Sequence, residues 1–144
     1  MFKVIIASLV LLGVAVFAAY HWGGVGSFDP TAQGRKAKAA LTPGMPWVKV
    51  VDAAGAPHKY ALLVERVKKV GGQDVRMLEP GVPQRFTPDA LKADITGGAA
   101  PYGFVFDYRF SEQVAFRVTF DKTAVVESVG DLRTMADLLD TRRR

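Results

Sequence analysis

The pattern of hydrophobic and polar residues divides the chain into stretches of different character. Residues 4–20 read VIIASLVLLGVAVFAAY, an apolar run with no charged residue. Residues 41–95 mix helix-like spacing with strand-like alternation, and residues 102–120 alternate between apolar and polar positions. Alternation of that kind is typical of strands with one buried face. The pattern therefore predicts an apolar leader followed by one small α+β domain.

The leader is long enough to cross a bilayer. Its 17 residues would span about 26 Å as a helix, and Lys3 to Trp22 would span about 30 Å, the thickness of a hydrocarbon core. We therefore predict a single transmembrane anchor over residues 1–22, with Tyr20 and Trp22 at the interface. The residues that would contact the membrane are Val4, Ile5, Ile6, Leu9, Leu11, Leu12, Val14, Val16, Phe17, Tyr20 and Trp22.

A cleaved signal peptide is the alternative interpretation of this leader. Lys3 supplies a positive start, and Val16-Phe17-Ala18 offers a weak cleavage site. The apolar run is longer than the usual signal core and has no clean A-x-A site, which favours a retained anchor.

Residues 23–40 are predicted to form a tether and a short helix. Gly23 to Ser27 is a flexible sequence, and Asp29-Pro30 combines a capping residue with proline at the first helical position. A second helix is predicted around Trp47, because apolar residues recur there at helical spacing up to Ala54 and Gly55 can end it. The β-branched residues in that stretch would also suit a strand.

The middle of the chain is predicted to hold a long hairpin and a third helix. Residues 59–70 and 75–78 flank Gly71-Gly72, a turn sequence, although Leu63, Val67 and Val70 also have helical spacing. Thr87-Pro88 starts the helix of residues 87–95.

The remainder is predicted to be a three-stranded antiparallel β-meander and a last helix that starts at Asp131. The expected fold of residues 41–144 is therefore α+β, with helices packed on that three-stranded meander, behind a single transmembrane helix.

Composition narrows the chemistry. The chain has no cysteine, which excludes disulfides, thiolate metal sites and a cysteine nucleophile. Its net charge is +5. His58 has no metal-binding neighbours in sequence, and His21, at the membrane edge, is the one candidate cofactor ligand. Asp107, Glu112, Asp121 and Glu127 are expected on a solvated face. We predict no catalytic site, no metal and no cofactor.

Two segments resemble a known family. Leu41, Gly44-Met45, Val50 and Gly55-x-Pro57 resemble the opening of the SmpA/OmlA-like domain, and residues 116–129, FRVTFDKTAVVESV, resemble its final strand pair. The resemblance implies two short helices on a three-stranded antiparallel sheet. It also implies an envelope protein, since the best-known members are lipoproteins that assist assembly of outer-membrane β-barrels. Here Pro46 replaces the usual Thr, Ala54 replaces the usual Leu, and no lipid-accepting cysteine is present.

The resulting functional prediction is a non-enzymatic protein of the cytoplasmic (inner) membrane that binds a protein partner. Arg35, Lys36 and Lys38 would hold the domain in the cytoplasm by the positive-inside rule. The export-like leader and the resemblance instead place it outside, which we favour. The alternative is an accessory subunit of an integral membrane complex, with the anchor packed against other subunits near a pigment or haem. Neither nucleic acid nor a small-molecule substrate is expected.

Overall fold

The structure is a computed structural model, and it describes residues 29–134. The predicted anchor of residues 1–22, His21 and most of the predicted last helix lie outside the described residues. Within residues 29–134 no helix has the length and apolar character needed to span a bilayer.

Three short helices begin and end at the residues that the sequence favours. They are α1 (Pro30–Ala39), α2 (Trp47–Ala54) and α3 (Pro88–Thr96). The Asp29 carboxylate caps α1 by accepting hydrogen bonds from two backbone N–H groups, and the Thr87 hydroxyl caps α3 by accepting one, from Ala90 N–H. Gly55, with φ of 83°, ends α2.

Within residues 29–134, six strands form one antiparallel sheet. They are β1 (Lys59–Val70), β2 (Gln73–Pro80), β3 (Gln84–Arg85), β4 (Phe104–Arg109), β5 (Ala115–Phe120) and β6 (Val126–Val129). Their order is β2-β1-β4-β5-β6, and β3 pairs with β1. The hairpin turn Gly71-Gly72 has positive φ at both residues, as a two-residue turn between twisted strands requires.

The prediction of a three-stranded sheet is wrong, since the described part of the chain has three helices on a six-stranded, mostly β architecture. The meander β4-β5-β6 exists, but β1 joins its edge by pairing Lys59–Leu62 with Phe104–Asp107. That pairing links segments more than 40 residues apart, so it cannot be predicted from a local sequence pattern.

The predicted helix start at Asp131 is also wrong. Arg133 exchanges two backbone hydrogen bonds with Ala115, at 2.9 and 3.2 Å, so this segment is extended beside β5. The unpaired N–H and C=O groups at the start of β5 are satisfied in this way, which outweighs the local preference for a helix.

The core lies between the helices and the aromatic face of the sheet, as the alternation predicts. Phe104 and Phe120 stack at 4.6 Å between ring centroids, and Tyr108 and Phe116 stack at 5.0 Å. Val50 from α2 and Leu91 from α3 are fully buried in this cluster. The opposite face has only a small apolar cluster, formed by Ala61, Leu63 and Val105.

We expect Gly103→Ala to destabilise the domain far more than Gly98→Ala. Both glycines have positive φ, at 95° and 73°. A Cβ at Gly103 would overlap the carbonyl oxygen of Phe120, whereas a Cβ at Gly98 would meet nothing within 4 Å. Urea unfolding should give losses of more than about 3 kcal/mol and about 1 kcal/mol respectively. Equal losses would show that the overlap at Gly103 is relieved.

We expect Tyr60 to make stability depend on alkaline pH. Burial and then the 2.7 Å hydrogen bond that its hydroxyl donates to Asp94 raise the pKa of Tyr60 from 10.0 to about 12. A raised pKa in the folded state means that this contribution is complete below pH 10 and is lost as the pH rises towards 12.

Urea unfolding of Tyr60→Phe should show a loss of about 1 kcal/mol at neutral pH and a shallower alkaline decline. Tyr102→Phe, at a ring that is 42% exposed, is the control. A decline as steep in Tyr60→Phe as in the parent would contradict the assignment.

Candidate binding surfaces

The residues of the predicted family motif are structural. Gly44 N–H donates to the Val126 carbonyl, and Val126 N–H donates to the Met45 carbonyl, both at 2.8 Å. Val50 and Pro57 are buried, and Gly55 ends α2. The motif therefore fastens α2 to the outer edge of β6 and presents no reactive group.

The predicted polar residues do not assemble a reactive centre. Asp107 accepts a 2.7 Å hydrogen bond from the Arg117 guanidinium. Asp121 closes the β5–β6 turn, and its hydrogen bond from the Thr123 hydroxyl is the main cause that holds the pKa of Asp121 below its ordinary value. Glu112 and Glu127 are exposed. No set of three His, Asp or Glu residues within 29–134 is arranged to hold a metal.

The two edges of the sheet differ. The outer edge is covered where β6 begins, because Pro46 bridges to Val125, the Trp47 N–H donates to the Ala124 carbonyl at 3.1 Å, and Val126 bonds Gly44 and Met45. The other edge is β2, which pairs only with β1 in the part of the chain that the structure describes. An uncovered edge of this kind is a template for another strand.

The β1–β2 hairpin projects beyond the rest of the sheet. β4 pairs with β1 only as far as Leu62, and the Leu63 N–H makes one further bond to Gly103. Residues 63–80, which we call the arm, then continue as a two-stranded ribbon about 25 Å long. Most residues of the arm are exposed.

Both faces of the arm expose apolar side chains. On one face Val67 is 60% exposed and Leu78, its diagonal neighbour, 51%; on the other the exposed residues are Val70, Val75 and Met77. Ion pairs surround these residues: Glu79 with Arg66 and Lys68, and Glu65 with Arg76 at 3.7 Å. Two-stranded ribbons are marginally stable alone, so exposed apolar residues on both faces indicate a binding surface.

A second surface lies at the other end of the sheet, on the face away from the helices. Two cross-strand rows of side chains form it, one from Lys59 through Asp107 to Arg117 and the other from Arg109 through Ala115 to Arg133. They line a cavity of about 630 Å³, which we call the basic groove. Its other lining residues are His58, Pro83, Tyr108, Phe116, Gly130 and Asp131.

Positive charge dominates the basic groove. Of its two carboxylates, Asp107 bonds Arg117 and Asp131 bonds Lys38 of α1 at 3.3 Å. The other three cations, Lys59, Arg109 and Arg133, make no ion pair with a residue in the described range 29–134. These three exposed cations share one face of the sheet and repel one another, so the basic groove is a candidate site for an anion.

The sequence did not predict the basic groove. Arg35, Lys36 and Lys38 stand together in the sequence but lie outside the groove, which takes single cations from four separate segments. Alternation places Arg109 and Arg117 on the polar face of the meander. The positions of Lys59 and Arg133 depend on the β1–β4 pairing and on the extended 131–134 segment, neither of which has a local signal.

Comparison of the chain with models of protein families, with curated proteins and with solved structures finds no match. The functional argument therefore depends on the geometry of the arm and the basic groove.

Proposed function

We propose that this protein is a non-enzymatic binding module that captures an extended segment of another protein along the arm. The observation that carries the proposal is the arm itself, an uncovered edge strand with apolar side chains on both faces. The resemblance to the SmpA/OmlA-like domain, with its implied role in envelope assembly, stays a prediction and agrees with this proposal.

The exposed apolar side chains supply the driving force. Complete burial of a valine, leucine or methionine side chain is worth about 1.5–3 kcal/mol relative to full exposure. The five on the arm are 38–60% exposed, so each retains part of that free energy for a partner. The ion pairs of the arm are already formed within it, so they add solubility and selectivity more than attraction.

The free edge of β2 determines the kind of partner. A bound strand would pair its backbone with β2, and alternate side chains would cover the Val75–Met77 row on one face and reach Leu78 on the other. The occupant is therefore an extended segment with apolar residues on both faces, paired to β2. A helix packed there would cover the outer-edge N–H and C=O groups of β2 without offering them backbone partners.

We expect photo-cross-linkers at Val75 and Met77 to capture one partner protein in intact cells. Matched controls are Val48 and Val82, which are 51% and 80% exposed but lie outside the arm. The yield at the two arm positions should exceed the control yield at least about fivefold, because anchors concentrate at the centre of an interface. In hydrogen exchange, the partner's captured segment should protect the backbone N–H groups of β2.

Equal yields at all four positions would contradict the proposal. A product with the mass of two copies of this chain would also overturn it, because the captured strand would then come from self-association.

We propose in addition that the apolar segment of residues 4–20 holds the module at a membrane. The segment lies outside the described residues, so its sequence alone supports this. Arginine at both Leu9 and Leu12 should release the protein from sedimented membranes, since each would cost about 2.5–3.5 kcal/mol within the bilayer. Isoleucine at both positions is the control. Unchanged sedimentation of the arginine variant would contradict the proposal.

The alternative role as an accessory subunit of an integral membrane complex, with His21 near a pigment or haem, stays a prediction.

A further inference from the structure

We infer that the basic groove binds a phosphate group. This site lies apart from the arm: β1 begins at Lys59 in the groove and ends at Val70 at the tip of the arm, about 36 Å away. The binding proposals for the two surfaces can therefore be tested independently.

The first reason is the placement of the unpaired cations. Arg109 and Arg133 lie on either side of Ala115 in one cross-strand row, and Lys59 lies at the end of the neighbouring row. Ala115 has only a methyl group, so the floor between the two arginines is low. The three cations belong to three different segments and stand at three separate positions on one face of the sheet.

The second reason is that the carboxylates of the groove do not compete for these cations. The Asp107 carboxylate accepts a 2.7 Å hydrogen bond from Arg117, and the fully exposed Asp131 carboxylate has Lys38 as its ion-pair partner at 3.3 Å. An incoming anion would therefore meet a field in which positive charge is in excess.

The third reason is the match between these donors and a phosphate. A carboxylate is planar, and one guanidinium can bond both of its oxygens. A phosphate is tetrahedral, and its three or four oxygens point in different directions, so it can accept from several cations at once. Donors at three separate positions can each contact a different oxygen of the tetrahedral group. The volume of about 630 Å³ is that of a small-molecule site.

The aromatic residues of the groove argue against recognition of a nucleobase. Tyr108 and Phe116 are only 3% and 4% exposed and stack on each other in the core. They cannot offer a free ring face to a base, which single-stranded nucleic acids require. The phosphate therefore belongs to a small phosphate ester or to a phospholipid headgroup.

Inorganic phosphate is the first probe, titrated into the full chain in non-ionic detergent at constant ionic strength. We expect saturable amide shifts centred on residues 107–109, 115–117 and 130–133. The double variant Arg109→Gln, Arg133→Gln should raise the dissociation constant at least about tenfold, since each lost charged bond is worth about 1.5 kcal/mol or more. Lys69→Gln and Lys92→Gln, at exposed cations elsewhere, should change it less than about twofold.

Acetate at the same ionic strength tests the chemical class and should bind at least about tenfold more weakly than phosphate. Unsaturable shifts, shifts of equal size at Lys68 and Lys69, or equal affinity for acetate would each overturn the inference. The mapping of shifts on the parent chain does not depend on any variant, so it decides the case even if the double variant fails to fold.

Two further probes distinguish the sources of the phosphate. Glycerol 3-phosphate represents a soluble ester, and flotation with phosphatidylglycerol vesicles, against phosphatidylcholine vesicles, represents a headgroup. If the double variant floats less well with phosphatidylglycerol than the parent, the ligand is a headgroup. If flotation is unchanged and glycerol 3-phosphate competes with inorganic phosphate, it is a soluble ester. If a folded double variant keeps both its flotation with phosphatidylglycerol and its binding of glycerol 3-phosphate, the inference is overturned.

Discussion

The short pairing between β1 and β4 is the contact on which the rest of the architecture depends. Only Lys59–Leu62 and Phe104–Asp107 take part, yet this contact joins the hairpin to the meander and makes one sheet of both. It buries Tyr60 beside Phe106 on the core face, and on the other face it brings Lys59 opposite Asp107. Because the pairing stops at Leu62, the remainder of β1 has to continue without a neighbour on that side. The arm and the basic groove are thus two consequences of one contact.

The two edges of the sheet differ in what covers them. At β6 the segment that precedes α2 supplies backbone partners, and its glycine and proline residues fit the bends that this requires. That segment blocks another strand from pairing where β6 begins. At β2 no such segment is present among residues 29–134, and ion pairs rather than backbone partners surround the strand. Charged side chains on an edge slow indiscriminate pairing, so under the proposed function a partner would also have to cover Val75 and Met77.

Local structure could be predicted from the sequence and long-range structure could not. Asp29, Thr87 and Gly55 act within one or two turns of their helices, so their capping roles are readable from neighbouring residues. The alternation of Phe104, Phe106 and Tyr108 likewise fixes one face of a strand. By contrast, the partner of a strand edge is chosen by the whole fold, so the pattern in residues 59–70 indicated a hairpin without indicating β4. Arg133 was misassigned for the same reason, since its backbone partner at Ala115 lies far from it in sequence.

The same distinction explains why the candidate surfaces were harder to predict than the core. In a folded domain a sheet buries apolar side chains on at least one face, and the aromatic face here is buried in this way. The arm and the basic groove depart from rules of this kind, with apolar residues in solvent and with cations that have no ion-pair partner among residues 29–134. Departures of this kind are expected at functional sites, which is why both proposals start from them. The Asp107–Arg117 pair fits this view, because it holds one guanidinium against the sheet and leaves Arg109 and Arg133 as the cations that face an incoming anion.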